Sequence, residues 1–285
     1  MPTARNIELV ISDVDGTLVT QDKTLTERTR RAVHALGAAG IRFAITSSRP
    51  PRGMASLVAA LDIQTPIAGF NGGVFARPDQ KILKSSAIDP ATGRRAVEII
   101  AGCGLDLWVF TENEWLAQDP GGAHVAHETM TVGFPPSIVS GFGDALDRAF
   151  KIVGVSNDHD RVGQTEGRVQ KALTGAASIS RSQPYYLDVT SVAANKGSVV
   201  DYLSRHLDIG RARIMAIGDG PNDVQMFDRA GFSVAMGNAA PQAKAAATEI
   251  TDSNEQDGFA KAVERFLLEN AVIRNQSGRD GVRWP

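Results

Sequence analysis

The sequence predicts an α/β protein, a doubly wound and mainly parallel sheet with an α+β domain inserted into it. Three observations predict this. Leu9-Val10-Ile11 and Ile214-Met215-Ala216-Ile217 are uninterrupted apolar runs, as expected of strands covered on both faces of a parallel sheet. Strand, helix and strand recur with short connections, the pattern of right-handed βαβ units. That rhythm lapses from Lys81 to Ser191 and then resumes, which marks an insertion. The expected boundaries are 1–80 plus 192–272 for the core, 81–191 for the insertion and 273–285 for a mobile tail.

Each element has its own local reason. The first strand ends in Asp13-Val14-Asp15-Gly16, and a polar loop runs from Thr17 to Thr24. Thr26 suits the N-cap of a helix with Ala32, Val33 and Leu36 on one face and Gly40 at its end. Ile41 to Thr46 reads as the second strand, closed by Ser47-Ser48-Arg49-Pro50-Pro51. A helix from about Pro51 to Leu61 leads to Pro66–Phe75, where Asn71-Gly72 makes either a hairpin turn or a backbone-rich contact loop.

Within the insertion, strands are expected over Ile82–Ile88, over Leu107–Gln118 around a turn at Glu112-Asn113-Glu114, over Lys151–Val155 and over Tyr185–Val189. Helices are expected over Ala91–Ala101, Asp144–Phe150 and Glu166–Leu173. Trp108, Phe110 and Trp115 read as core of the insertion, and His124, His127 and Glu128 as surface residues. The core resumes with a helix from Asn195-Lys196-Gly197 that carries Val199, Val200, Leu203 and Leu207 at helical spacing. Ile214–Ile217 then ends in Gly218-Asp219-Gly220-Pro221-Asn222-Asp223. A helix, the strand Phe232–Met236, a helix from Pro241 and an amphipathic helix over Phe259–Leu268 complete the chain.

Composition narrows the function classes. The 285 residues hold 30 basic and 32 acidic side chains with no Lys/Arg block, so neither nucleic acid nor a membrane surface is an expected partner. No apolar stretch is long enough to span a bilayer, and no secretion signal is expected at the start. Cys103 is the only cysteine, which excludes an internal disulfide and a cysteine metal cluster. A cytoplasmic globular protein is the expectation, with its oligomeric state open.

Three polar clusters fall at the carboxyl ends of strands: Asp13 with Asp15, Ser47 with Ser48, and Asp219 with Asn222 and Asp223. Ligands of open α/β sheets bind at that edge. If the strands adjoin, a group of carboxylates, two serines and Lys196 converge. Carboxylates crowded together ask for a hard cation. Hydroxyls, backbone N–H groups and a lysine ask for an oxyanion. Together they imply a phosphate with Mg²⁺.

Asp13-Val14-Asp15-Gly16-Thr17 with Gly218-Asp219-Gly220-Pro221-Asn222-Asp223 resembles the haloacid dehalogenase-type phosphatases. Phe70-Asn71-Gly72-Gly73, Asn195-Lys196-Gly197 and Met236-Gly237-Asn238-Ala239, with the insertion between the Ser47 and Lys196 segments, are similar to the Cof-type branch, subclass IIB, which carries an α/β cap on a Rossmann-like core. The resemblance implies Asp13 as nucleophile and Asp15 as general acid and base. It also implies a Mg²⁺ held by Asp13, the Asp15 carbonyl and Asp219, with Asp223 either a further ligand or a support behind them. Phosphoryl oxygens would be held by Ser47, the Ser48 N–H, Lys196 and Asn222, with Arg49, Asn71 and Gly72 as possible substrate contacts. Each such electrostatic contact is worth roughly 3 kcal/mol in a transition state.

The chain departs from the family in having Ser48 where glycine usually follows the second-motif hydroxyl, which leaves Thr46 as an alternative to Ser47. The substrate class implied is a small phosphorylated metabolite, foremost a sugar phosphate. A phosphomannomutase-like transfer, a phosphoacceptor that does not turn over, and a silent binding module are the alternatives.

Overall fold

The computed structural model describes residues 6–112 and 114–269. Asn113 of the expected turn and the expected tail 273–285 lie outside the described residues. The chain divides into two compact units: the described parts of residues 1–46, 56–67 and 196–285, and residues 47–55 with 68–195.

The first unit opens with β1 (Leu9–Asp13), α1 (Glu27–Ala38) and β2 (Arg42–Thr46), and α2 (Ala55–Ala60) and β3 (Ile67–Gly69) follow at the boundary. The second contains β4 (Val74–Ala76), β5 (Ile82–Ser85), α3 (Pro90–Gly102), β6 (Asp106–Phe110), β7 (Trp115–Ala117) and α4 (Val125–Val132). It continues with β8 (Ser137–Ile138), β9 (Lys151–Val155), α5 (His159–Ala172), β10 (Ala177–Gln183) and β11 (Tyr186–Ser191). The chain then returns to the first unit with α6 (Lys196–Leu207), β12 (Ile214–Gly218) and α7 (Val224–Phe227). β13 (Phe232–Ala235), α8 (Pro241–Ala246), β14 (Glu249–Ile250) and α9 (Gly258–Val263) finish it.

In the first unit the strands lie in the order β14-β13-β12-β1-β2, every neighbour parallel. β1 and β12 sit at its centre with all five residues of each buried, which is why both read as continuous apolar runs. α1 begins where Thr26 Oγ1 accepts from the Thr29 N–H, and the chain leaves it through Gly40 at φ 75°, as the cap residues predict. Parallel register places Asp13 opposite Thr46 and sets the ends of β1, β2 and β12 side by side.

The second unit is a six-stranded sheet in the order β10-β11-β9-β6-β7-β8, antiparallel except for β7 with β8. Ala96, Ile100, Val162 and Val169 of α3 and α5 bury one face against Val109, Ile152 and Val189. The other face is aromatic: Trp108, Phe110, Trp115 and Tyr186 meet Phe70, Val125 and Phe150. Trp108 and Trp115 pack edge to face with centroids 5.1 Å apart, so these rings are core, as the sequence reading has them.

Several expectations change in detail. The expected helix at Asp144–Phe150 is a 3-10 turn over Gly143–Arg148, and the expected helix from Pro51 begins as a 3-10 turn before α2. β10 was not expected, because Ala-Ser-Ile-Ser-Arg-Ser-Gln carries too few apolar residues to show a buried face. Glu128 is not a surface residue. It is buried and accepts from the Tyr186 hydroxyl at 3.3 Å, because α4 packs its polar side against that tyrosine.

The compact unit takes in residues 47–55 and 68–80 together with the stretch 81–191. Phe70 and Val74 bury their side chains in its aromatic cluster, and Gly53 rests on Val132.

Ile11 lies in the middle of β1 with no exposed surface. Ile11→Ala should cost about 2–5 kcal/mol in urea unfolding with the transition slope unchanged.

Candidate active site

The carboxyl edge of the first unit gathers most of the predicted acidic residues. Asp13 is the last residue of β1, Asp219 follows β12, and Asp223 closes the 3-10 turn Pro221–Asp223. One carboxylate oxygen from each of these three lies within 4.8 Å of the others. Lys196, the first residue of α6, stands among them: Nζ is 2.6 Å from Asp13 Oδ1 and 2.5 Å from Asp223 Oδ1, and the side chain is 1% exposed. Asp223 Oδ2 accepts from the Asp219 N–H at 2.9 Å and the Gly220 N–H at 2.8 Å, which locks the turn. Gly218 and Gly16 are required here, because a Cβ at either would strike the carboxylate of Asp223 or Asp219.

Three carboxylates thus face one ammonium in a buried place. Burial raises the Asp13 carboxyl well above its ordinary range; Lys196 pulls it down, and Asp223 and Asp219 push it up. Burial and then Asp223 raise Asp219 to about 6. Burial works against the Lys196 charge, but Asp13 and Asp223 outweigh it and hold the ammonium above its ordinary pKa. An all-oxygen donor set short of positive charge fits a hard divalent cation, and the residues present suit Mg²⁺.

Asp15 lies beyond the end of β1, and its Oδ1 pairs with Lys23 Nζ at 2.7 Å. Its carboxylate is not one of the three that converge. Asn222 is half-buried on the 3-10 turn.

Ser47, Ser48, Arg49, Asn71 and Gly72 belong to the second unit, where they form a cluster of their own. Ser47 is buried, its Oγ accepts from the Arg49 N–H at 3.1 Å, and its carbonyl accepts from the Asn71 N–H at 2.8 Å. Ser48 is half-buried. The Asn71-Gly72 stretch is a 3-10 turn and not a two-residue hairpin. Phe70 and Asn71 take left-handed φ of 51° and 55°, a strain that side chains other than glycine rarely accept.

The sequence assigns no role to three residues of the first site. Thr17 Oγ1 donates to Asp219 Oδ1 at 2.8 Å. Asn238 Nδ2 donates to the Gly16 carbonyl at 2.8 Å and lies 3.4 Å from Asp219 Oδ2. Asn238 follows β13 closely, so its place at the same edge was a usable signal. Lys23 sits in a polar loop at φ 66° and carries no local signal. Thr46 Oγ1 is buried without a hydrogen-bond partner on the strand position opposite Asp13.

The profile of the haloacid dehalogenase-like hydrolases matches residues 10–263. A 5-amino-6-(5-phospho-D-ribitylamino)uracil phosphatase of Bacillus subtilis strain 168 is 26% identical over 269 residues, 92% of this chain and 97% of that protein. The crystal structure of a haloacid dehalogenase-like hydrolase from Bacteroides thetaiotaomicron is 27% identical, with a TM-score of 0.82 over 91% of this chain and 99% of that one. A subclass IIB sugar phosphatase of the same superfamily shares the fold at a TM-score of 0.79 and 24% identity, covering 91% of this chain and 98% of its own.

With its pKa raised from 3.8 to about 6, Asp219 keeps its proton in the folded metal-free protein at mildly acidic pH. Its contribution to stability is present below the unfolded pKa and fades as pH rises through about 6. A cation needs the ionised form. The rise in Tm on adding Mg²⁺ should therefore be larger at about pH 7.5 than at about pH 5. Equal rises in a thermal-shift titration would mean that these carboxylates do not hold the metal.

Proposed function

The chain belongs to the haloacid dehalogenase-like hydrolase family, and on that premise we propose that it hydrolyses phosphomonoesters of small metabolites in the cytoplasm. Sugar phosphates are the foremost substrates in this reading. What carries it is the meeting of Asp13, Asp219, Asp223 and Lys196 at the ends of adjoining strands. The phospho-ribityl substrate in the name of the Bacillus subtilis relative and the sugar phosphatase among the structural neighbours favour a polyhydroxylated substrate.

In the mechanism, the Asp13 carboxylate attacks phosphorus while the P–O bond to the leaving group breaks, giving an aspartyl-phosphate and an alcohol. Asp15 donates its proton to the departing oxygen. It then takes a proton from the water that attacks the aspartyl-phosphate, and inorganic phosphate leaves with Asp13 regenerated. Lys23 pairs with the Asp15 carboxylate once that proton has left, in the form that acts as base. Lys196 offsets negative charge on Asp13 and on the transferring group. Mg²⁺ held by Asp13, Asp219, Asp223 and the Asp15 carbonyl would neutralise charge that grows on the phosphoryl oxygens. Ser47, the Ser48 N–H and Asn222 supply hydrogen bonds to the same oxygens in this reading.

Release of phosphate from a panel of sugar phosphates and from p-nitrophenyl phosphate, with Mg²⁺ and then with chelator, tests the proposal; turnover indifferent to both would end it. Asp13→Asn should abolish turnover with the fold intact by circular dichroism. Asp15→Asn should retain slow release of p-nitrophenol, a good leaving group, while losing sugar phosphate hydrolysis. Ser47→Ala should lower kcat by about 10²-fold, and Thr46→Val by much less. The reverse order would make Thr46 the phosphate contact.

A further inference from the structure

We propose that a cavity at the amino edge of the first unit's sheet binds a small organic carboxylate with an apolar body. Its volume is about 670 Å³, and pockets that take small molecules run from about 300 to 1,000 Å³. Every residue around it belongs to the first unit. Arg42 opens β2, Leu207 closes α6, Gly37 lies in the last turn of α1, and Leu61 follows α2. Asp13 and Thr46 end β1 and β2 at the opposite edge. The five residues of β2 put about 13 Å between the two places. The cavity is therefore a second site, and it stands whether or not the phosphatase reading does.

Its wall is apolar and held open. Val33, Phe43, Leu61 and Ile63 are buried beneath it, while Ile41 and Leu207 stay half-buried along its side. Apolar surface left facing water forgoes the gain that burial would bring. Gly37 is an independent sign. Glycine inside a helix weakens it relative to alanine, so a helical glycine asks for a reason. Gly53 has one in its approach to Val132, and Gly40 has one in its left-handed φ. Gly37 has neither: its conformation is helical, and a Cβ there would meet nothing within 4 Å. The missing side chain keeps the cavity wall clear.

The rim decides the sign of the ligand. Arg42 is exposed, its guanidinium donates to the Leu207 carbonyl at 3.1 Å, and no carboxylate pairs with it among the described residues. A guanidinium carries five N–H groups, so one bond to a carbonyl leaves donors to spare. His34 adds a second cation once protonated. Asp62 is the only acidic residue lining the cavity, and its Oδ1 is engaged by Gln64 Nε2 at 2.6 Å. A carboxylate matches the guanidinium through paired, charge-assisted hydrogen bonds, with its apolar body against Phe43 and Leu61.

The test uses 2-naphthoate and 2-naphthylmethylamine, which share a ring system and differ in the sign of their charge. Calorimetric titration of the full chain should show a single naphthoate site, about tenfold tighter than that for the amine. Adding Mg²⁺ with inorganic phosphate should leave that affinity unchanged. Arg42→Gln should weaken naphthoate about tenfold and leave the amine within about twofold. Gly37→Leu should abolish naphthoate binding while Tm holds or rises, since leucine suits a helix better than glycine. No binding, a preference for the amine, displacement by phosphate, or unchanged binding in Gly37→Leu would each overturn the proposal. A wild-type dimer that Gly37→Leu disperses would give the cavity to a second copy of the chain and overturn it as well.

Discussion

Charge imbalance around Lys196 governs the arrangement of the first unit. One buried ammonium stands between Asp13 and Asp223, and Asp219 brings a third carboxylate within reach of both. Carboxylates held this close in low dielectric repel by several kcal/mol unless compensated. The protein compensates in part, with Lys196 and with the N–H groups of Asp219 and Gly220 on Asp223. The remainder would favour a divalent cation, and the raised pKa values of Asp13 and Asp219 express the same deficit as a demand for protons.

A parallel sheet is well suited to hold such a cluster. Its central strands are buried on both faces and therefore rigid, while the edge where they end is free of the packing that forces side chains to be apolar. β1 and β12 neighbour each other in register, although Asp13 and Asp219 are far apart in the chain. Thr17 and Asn238 then fix Asp219 from two sides, so the acidic group is oriented before any ligand arrives. In the second unit, the left-handed backbone at Phe70 and Asn71 is held by Phe110 and Phe150 around the Phe70 ring, and strain of this kind persists only where packing over-determines it.

Much of this was legible from local pattern. The apolar runs of β1 and β12, the Thr26 cap of α1 and the acidic residues at the strand ends follow from nearest neighbours along the chain, where periodicity and capping act. The 3-10 turn at Gly143–Arg148 and the strand β10 did not yield to the same reading. The first lacks enough residues to show a helical period, and the second is an edge strand with little apolar surface to advertise. Glu128 shows the limit most plainly, because a carboxylate on a short helix looks solvated until Tyr186, far along the chain, arrives to bond it.

Residue order alone was enough to announce the α/β class and the acids at the strand ends, since these rest on patterns among residues a few positions apart. The partners of those acids were left to the folded chain. That Asp15 meets Lys23, that Lys196 bridges Asp13 and Asp223, and that Lys151 is buried beside Asp188 depend on how strands and loops are brought together across the molecule. Such pairings are set by sheet register and by packing shared among many side chains, and no short window of the sequence contains them.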